Sequence, residues 1–482
     1  MQQHKMLFLL TTLLLITSTS VFAQWEADQR LTNTASSSFL ANNNAWNIAA
    51  SGDTVHVVFT DDLTGAWQIY YTCSHNAGIN WNAPIVLSQD TCSILNYTIA
   101  VSGSTVHLVW INLWNRKLMY RRSTDAGVSW SQAVAVVNPG IQNVGDPCLA
   151  ASGNNVYLVY THNPASGYNV DLFFISSTNG GVSWSTAQRL TYDTNGIIDG
   201  GPSIAVSSNI LHLIWGRSYS PGWHRRVLYL RSTNYGTSWE PERFITSDTI
   251  HQSQPCIAVS GNYVHAVWMD QRTGDSVQIY YRSSADNGVN WQTEKCLTNN
   301  VMAADYQTIA AIGQNVHIAW RDYRFSNQWH IGYRRSFDNG QTWQPDIFLN
   351  DLYHQESPSI AVAGTKVHLI FIDNRDGNWE IYYKRNPTGS GIEEEVRSKR
   401  QEVRGLEVYP NPAKSYFTVR FSQIAEHSQI KIFDVSGKLV KEILRSAQND
   451  NMVRVSLDGI KNGIYFVKAG NEMIREKLVI AK

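Results

Sequence analysis

One ten-residue phrase limits what most of this chain can become. It runs from Arg282 to Trp291, RSSADNGVNW, and it occurs six times in slightly altered form. Ser284, Asp286, Gly288 and Trp291 mark its fixed places, an SxDxGxxW box. The same places hold Ser74, Asn76, Gly78 and Trp81; Ser123, Asp125, Gly127 and Trp130; Ser177, Asn179, Gly181 and Trp184; Ser232, Asn234, Gly236 and Trp239; and Ser336, Asp338, Gly340 and Trp343. Each residue type suits a tight turn between two strands. The short Asp or Asn side chain accepts hydrogen bonds from backbone N–H groups two residues on, and Gly supplies a positive φ. The Trp folds back as an apolar plug whose loss costs roughly 3–5 kcal/mol. The box is therefore expected to be architecture rather than chemistry.

Upstream of each box lies a second phrase, typified by IAVSGNYVHAVW. Its copies begin at Ile48, Ile99, Leu149, Ile204, Ile257, Ile309 and Ile360, a period of roughly 50 to 55 residues, as expected of propeller blades. Seven starts predict seven blades. Each repeat reads as four short strands, which for the fifth are Cys256 to Val259, Tyr263 to Met269, Gln278 to Ser283 and Glu294 to Thr298. Helical periodicity is hard to find, so the class is all-β. The seventh repeat ends near Arg385 without a box. Its missing fourth strand is expected at the start of the chain, where Trp25 to Thr32 (WEADQRLT) resembles Trp291 to Thr298 (WQTEKCLT). Such a strand closes the ring and removes exposed sheet edges.

The 17 Trp and 23 Tyr are plentiful enough to fill a large aromatic core, and 482 residues leave room for two or three domains. Lys plus Arg equals Asp plus Glu at 39 each, which gives no reason to expect nucleic acid or an anionic membrane as partner. Residues 1–23 read as a signal peptide: Lys5, an apolar run from Met6 to Ile16, and Val21-Phe22-Ala23 before Gln24. No later stretch is apolar enough to span a bilayer, so no transmembrane segment is expected in the mature chain. Five cysteines without CxxC spacing indicate neither a dense disulfide framework nor a zinc site. Cys73 with Cys92, or Cys256 with Cys296, could pair, whereas Cys148 and Cys256 occupy matching places and read as small buried apolar residues. No metal and no cofactor is expected.

The six boxes resemble the Asp-box (BNR) repeats of the sialidase-like propeller superfamily, over roughly residues 24–386. The resemblance implies the fold, with the boxes on the face away from any substrate. True sialidases of that family usually have six blades, whereas this chain counts seven.

On the opposite rim lie the loops before the first strand and after the second strand of each blade. The second strands end in Arg217, Asp270 and Arg272, Arg321, Asp322 and Arg324, then Asp373 and Arg375; before the first strands stand Tyr97, Asp146, Asp199, Asp305, Tyr306, His354 and Glu356. Binding residues collect on such loops. The candidate ligand contacts are Arg217, Asp270, Arg272, Arg321, Asp322, Arg324, Asp373, Arg375, Tyr306 and Glu356. The thrice-repeated DxR (Asp270 to Arg272, Asp322 to Arg324, Asp373 to Arg375) has two readings. It is a repeated ion-paired turn, or it aims several guanidiniums at one anionic ligand. His56, His107, His212, His265, His317 and His368 recur at one place in the second strand, with Tyr157 in the remaining blade. Each belongs to a different blade, too far from its neighbours to share a metal ion, so they read as hydrogen-bonded structural histidines.

Residues 387–405 form a charged linker around Glu393 to Arg404. Alternation returns over 406–482, where a small antiparallel sandwich fits. Tyr409-Pro410-Asn411-Pro412, IKIFDVSGKLV from Ile430, NGIYFVK from Asn462 and the final REKLVIAK resemble the C-terminal sorting domain of type IX secretion. That implies delivery to the outer-membrane surface or beyond, with the secretion machinery as partner of this domain.

Two functions compete. One is a non-catalytic surface module that binds a glycan or a protein. The alternative is an exo-α-sialidase-like glycoside hydrolase, which by the family resemblance needs three arginines on one carboxylate, a tyrosine nucleophile activated by a glutamate, and an aspartic acid proton donor. The family's FRIP motif is absent, Gln29-Arg30-Leu31 being the nearest approach, and it falls in the closing strand. The repeats are also unusually alike, which favours the binding module.

Overall fold

The computed structural model describes residues 25–387 apart from 42–46, 64, 89–93, 113–115, 138–143, 164–168, 193–195, 220–223, 248–250, 273, 275, 299–301, 326–327 and 350–352, and residues 407–480 apart from 410–412, 421–428, 435–437, 445–451 and 470–474. The expected signal peptide, the linker after Pro387 and Cys92 lie outside the described residues.

The described residues form only strands, turns and loops. Seven antiparallel sheets follow one another, and six of them have their strands in chain order from inner to outer. In blade 5 these are Gln252–Ser260, Tyr263–Asp270, Gln278–Ser284 and Lys295–Cys296. Blade 1 divides its inner strand into Ser38–Phe39 and Ile48–Ser51, both paired with Thr54–Asp61. Blade 7 consists of Gln355–Ala363, Lys366–Asp373, Glu380–Asn386 and, from the start of the chain, Gln29–Arg30. The closing register sets Gln29 opposite Tyr383 and Arg30 opposite Tyr382. Successive inner strands pack against one another around the ring, and Gln355–Ala363 of blade 7 packs on Ile48–Ser51 of blade 1.

Two details differ from the sequence reading. The inner strand of blade 5 starts at Gln252, not Cys256, because the chain passes Pro255 through a β-bulge and resumes pairing. Gln254 takes a φ of 53° there, and Asp146, Tyr306 and Ser357 take 39°, 51° and 51° at the same place in blades 3, 6 and 7. The outer strand, in contrast, pairs over two residues only.

Neighbouring blades meet large side against small. Ile99 packs with Ala49 of the preceding blade, Leu149 with Ala100, Ile204 with Ala150, Ile257 with Ala205, Ile309 with Ala258 and Ile48 with Ala361. The phrase IAVS places the two types on opposite faces of one strand.

The box completes each interface. Ser284 Oγ donates to Asp286 Oδ1 (2.7 Å), Gly288 N–H donates to Ser284 Oγ (2.9 Å), and Asn290 N–H donates to Asp286 Oδ1 (2.8 Å). The carboxylate thus serves a backbone N–H four residues on, not two. These donors outweigh desolvation and hold the Asp286 pKa down at about 2. The residue before the Gly also has positive φ, as at Ala77 (56°) and Asn287 (56°). A Cβ on Gly288 would fall 1.9 Å from the hydroxyl of Tyr229 in the preceding blade. Glycine is therefore required for that approach as well as for the turn. The Trp crosses the same interface: Trp291 stands edge-on to Tyr229 with centroids 5.1 Å apart, and Trp130, Trp184, Trp239, Trp343 and Trp81 do likewise to Tyr71, Tyr120, Phe174, Tyr281 and Tyr383. Each of these tyrosines also lies 2.7 Å from Nδ1 of the repeated histidine of its own blade, as in His56 with Tyr71 and His212 with Tyr229. In blade 3 the pair becomes Tyr157 stacked on Phe174. Boxes and the turns after inner strands share one face, since Asn287 N–H donates to Asn262 O and Ala126 N–H to Ser104 O.

The C-terminal unit has two sheets. Glu407–Tyr409, Tyr416–Arg420 and Met452–Ser456 form one; Leu439–Leu444, Gln429–Asp434, Gly463–Ala469 and Arg475–Ile480 form the other. Phe417, Ile430, Ile432, Val455, Val467 and Leu478 build its core.

Candidate functional site on the rim opposite the boxes

The five candidate arginines of the rim are paired with carboxylates of the ring itself. In blade 5 the Arg272 guanidinium donates through Nε and Nη2 to Asp270 (3.0 and 2.6 Å) and through Nη1 to Glu294 (2.6 Å). Asp270 is fully buried and also accepts from the Trp268 indole (3.0 Å). Burial opposes the charge of Arg272, yet these acceptors raise its pKa above the ordinary value. Blade 6 repeats the turn with Arg324 on Asp322 (2.9 and 2.7 Å) and the Trp320 indole on the same carboxylate. In blade 7 Arg375 holds Asp373 (2.6 Å) and Asp28 of the closing segment (2.8 Å). Among the two readings of DxR, the geometry is that of an ion-paired turn.

Blade 4 reaches the same balance by exchange. Arg217 occupies the strand position that Asp270 has in blade 5, and the acid moves to Asp199 across the pair of strands. Asp199 is fully buried and accepts from Arg217 Nε (2.7 Å), Arg217 Nη2 (3.0 Å) and the Trp215 indole (2.8 Å). Arg217 also binds Glu242 (2.6 Å).

Tyr306, Arg321 and Glu356 form a cluster spanning blades 6 and 7. Arg321 grips Asp305 bidentately (2.8 and 2.9 Å) and reaches Glu356 (3.2 Å), which His354 also meets (2.8 Å). Its guanidinium lies between the rings of Tyr306 and Trp329, 4.3 and 3.9 Å from their centroids. Burial pushes the Asp305 carboxyl pKa up in spite of Arg321.

A cleft of about 510 Å³ opens on blades 2 to 5, lined by Asn96, Asp146, Asp199, Ser218, Arg225 and Gln254, with Gly200, Gly201 and Gly216 as its thin wall. Asp146, in its left-handed bulge, accepts among the described residues only from neutral donors, Asn96 Nδ2 (3.1 Å) and Gly201 N–H (3.1 Å). Arg225 is exposed and donates through Nε to Ser218 Oγ (2.8 Å); among the described residues no carboxylate meets it. Of the ten candidate contacts none lines this cleft. The readable signal was departure from the repeat: Gly216 stands where blades 5, 6 and 7 carry Met269, Arg321 and Ile372. Arg225, Ser218 and Gln254 carry no comparable mark.

The recurring histidines sit at the box-face end of their strands. Burial pushes the pKa of His56, His212, His317 and His368 down to about 3 and that of His107 and His265 to about 4. Cys73, Cys148, Cys256 and Cys296 are free thiols, so Cys256 and Cys296 are not bridged. No group of three or more metal-ligating side chains assembles among the described residues, and they contain no helix long and apolar enough to cross a membrane.

Comparison with known proteins agrees with this architecture. Polysaccharide lyase Uly1 is 10% identical, with 76% of this chain and 100% of that chain covered and a TM-score of 0.53, a likeness that shows the fold. The α-L-arabinofuranosidase Arb93A from Fusarium graminearum (14% identity, 60% and 92% covered, TM-score 0.44) and a Trypanosoma rangeli sialidase (10%, 80% and 87%, 0.41) also match. No curated protein is similar to the chain in sequence. A secretion system C-terminal sorting domain matches residues 407–481, which indicates type IX secretion to the cell surface or beyond. The BNR repeat-like domain matches residues 115–369, more than half of the 482 residues, and the chain belongs to the BNR repeat-like family.

Proposed function

We propose that the propeller is a non-catalytic module, delivered by its sorting domain, that binds a glycan through the cleft of blades 2 to 5. The observation that carries this reading is how the rim charges are used. Arg217, Arg272, Arg321, Arg324 and Arg375 are each neutralised by carboxylates of the ring. A hydrolase of sialidase type needs three guanidiniums on one substrate carboxylate, and recruiting these would break buried ion pairs at roughly 3–5 kcal/mol each. The cleft instead offers an uncompensated carboxylate (Asp146), an uncompensated guanidinium (Arg225), and amide and hydroxyl groups suited to sugar hydroxyls. Tyr306 and Glu356, beside Arg321, flank the rim as further candidate contacts.

The test applies the full secreted chain to a glycan array and to a fluorogenic sialoside. Sugar binding that Asp146→Asn and Arg225→Ala abolish, with no turnover, is the expected result. Turnover lost in Arg321→Ala would overturn the reading in favour of the hydrolase. Binding confined to a cell-surface protein would retain the module and replace the glycan.

A further inference from the structure

Arg335 is a buried cation that meets no carboxylate among the described residues. It is 7% exposed, and among those residues its Nε and Nη1 atoms have no hydrogen-bond partner. Nη2 reaches Asn315 Oδ1 at 3.4 Å, and the guanidinium lies 3.9 Å from the centre of the Phe337 ring. Burial lowers its pKa below the ordinary value.

Equivalent strand positions show what is missing. Arg335 pairs with His317 as Arg231 pairs with His212 and Arg385 with His368. Arg231 and Arg385 each have two kinds of acceptor. The first is a glutamate directly after the Trp of their own blade: Glu240 for Arg231 (2.6 Å) and Glu26 for Arg385 (2.5 Å). The second is the backbone carbonyl of the residue directly before the box Gly of the next blade: Asn287 O for Arg231 (2.8 Å) and Ala77 O for Arg385 (2.8 Å). Arg122 uses the same carbonyl, Gly180 O, at 2.6 Å. In blade 6 the residue after Trp343 is Gln344, and blade 7 has no box. Among the described residues neither acceptor is present, while the cation and its burial remain.

We propose that the interface of blades 6 and 7, on the box face, is a carboxylate-binding site in which Arg335 receives a small carboxylate ligand in the place where the other blades carry a box. A buried guanidinium without an anion is costly, and a carboxylate is the planar acceptor that matches it. A carboxylate from solution supplies that chemistry. The site is independent of the rim cleft and of the reading of its ligand.

The test is thermal unfolding of the full chain in sodium acetate against sodium chloride at equal ionic strength. If solution carboxylates fill the site, acetate raises the midpoint by about 3 °C. In Gln344→Glu, which restores in place the acid of blades 4 and 7, the midpoint rises without acetate and the response disappears. The proposal is overturned if the wild-type midpoint does not respond to acetate, or if Gln344→Glu leaves the response intact.

Discussion

Trp25 stands edge-on to Tyr333, ring centroids 5.0 Å apart and planes 86° apart. Trp25 precedes the closing strand, yet it fills the slot that Trp81, Trp130, Trp184, Trp239, Trp291 and Trp343 fill at the other six interfaces. It is 3% exposed. Around it Glu26 pairs with Arg385, and Asp28 with Arg375 and Lys384. The start of the chain is thus fastened by a box-type Trp without a box.

Trp25→Ala should cost about 3–5 kcal/mol and loosen blade 7 before the rest of the ring. Denaturant titration gives the first quantity. Hydrogen exchange over Glu380–Asn386, the strand that Gln29–Arg30 covers, gives the second. Unchanged protection there would show that the strand closes the ring without its Trp.

Acid should unfold the propeller cooperatively near pH 5. The six histidines are neutral in the native state, with pKa values of about 3 to 4, and about 6.5 when unfolded. As pH falls below about 6.5 the unfolded chain takes up protons that the native state refuses. The stability is therefore complete above about pH 6.5 and is lost on the way down toward the folded pKa values. Six sites at about 1.4 kcal/mol per pH unit each give a slope of about 8 kcal/mol per unit. The double variant His212→Tyr, Tyr229→Phe copies the Tyr157 and Phe174 pair of blade 3 and should reduce the slope by about one sixth. An unaltered slope by urea titration across pH 4 to 7 would contradict the assignment.

Arg272→Ala should lower stability by about 3 kcal/mol, because it strands the buried Asp270 carboxylate against Trp268. Glycan affinity should stay within about twofold. A tenfold loss of binding at constant fold, measured by calorimetry, would place Arg272 in the ligand site after all.

Gly216→Met puts into blade 4 the residue that blade 5 carries as Met269. A Cβ at Gly216 meets nothing nearer than Gly200 O at 3.7 Å, and its φ is ordinary. The fold should survive while the side chain fills the cleft and weakens ligand binding at least about tenfold. Full affinity in a folded variant would move the site elsewhere on the rim.

Removing Leu406–Lys482 takes away the matched sorting domain. The truncated chain should accumulate in the periplasm, as fractionation and surface proteolysis would reveal. Its normal appearance outside the cell would mean that delivery does not depend on this unit.

The amino-acid sequence by itself determined the ring. Box, IAVS phrase and orphan Trp25 are local patterns with fixed spacing, and a repeat of strands whose faces alternate Ile and Ala can bury itself only against its own copies. The sorting domain was legible for the same reason, apart from the strands Glu407–Tyr409 and Leu439–Leu444, whose alternation is short. Tertiary structure alone decided what the charged residues do. Arg217, Arg272, Arg321, Arg324 and Arg375 are equally good as ligand grips or as ion-paired struts when read along the chain. The choice depends on acids such as Asp28, Asp199, Glu242 and Glu294, which arrive from other strands. Likewise the cleft exists because glycines of two adjacent strands coincide, and Arg335 is anomalous only beside a blade that lacks its box. Pairing across strands is set by register and closure, which no single stretch of sequence contains.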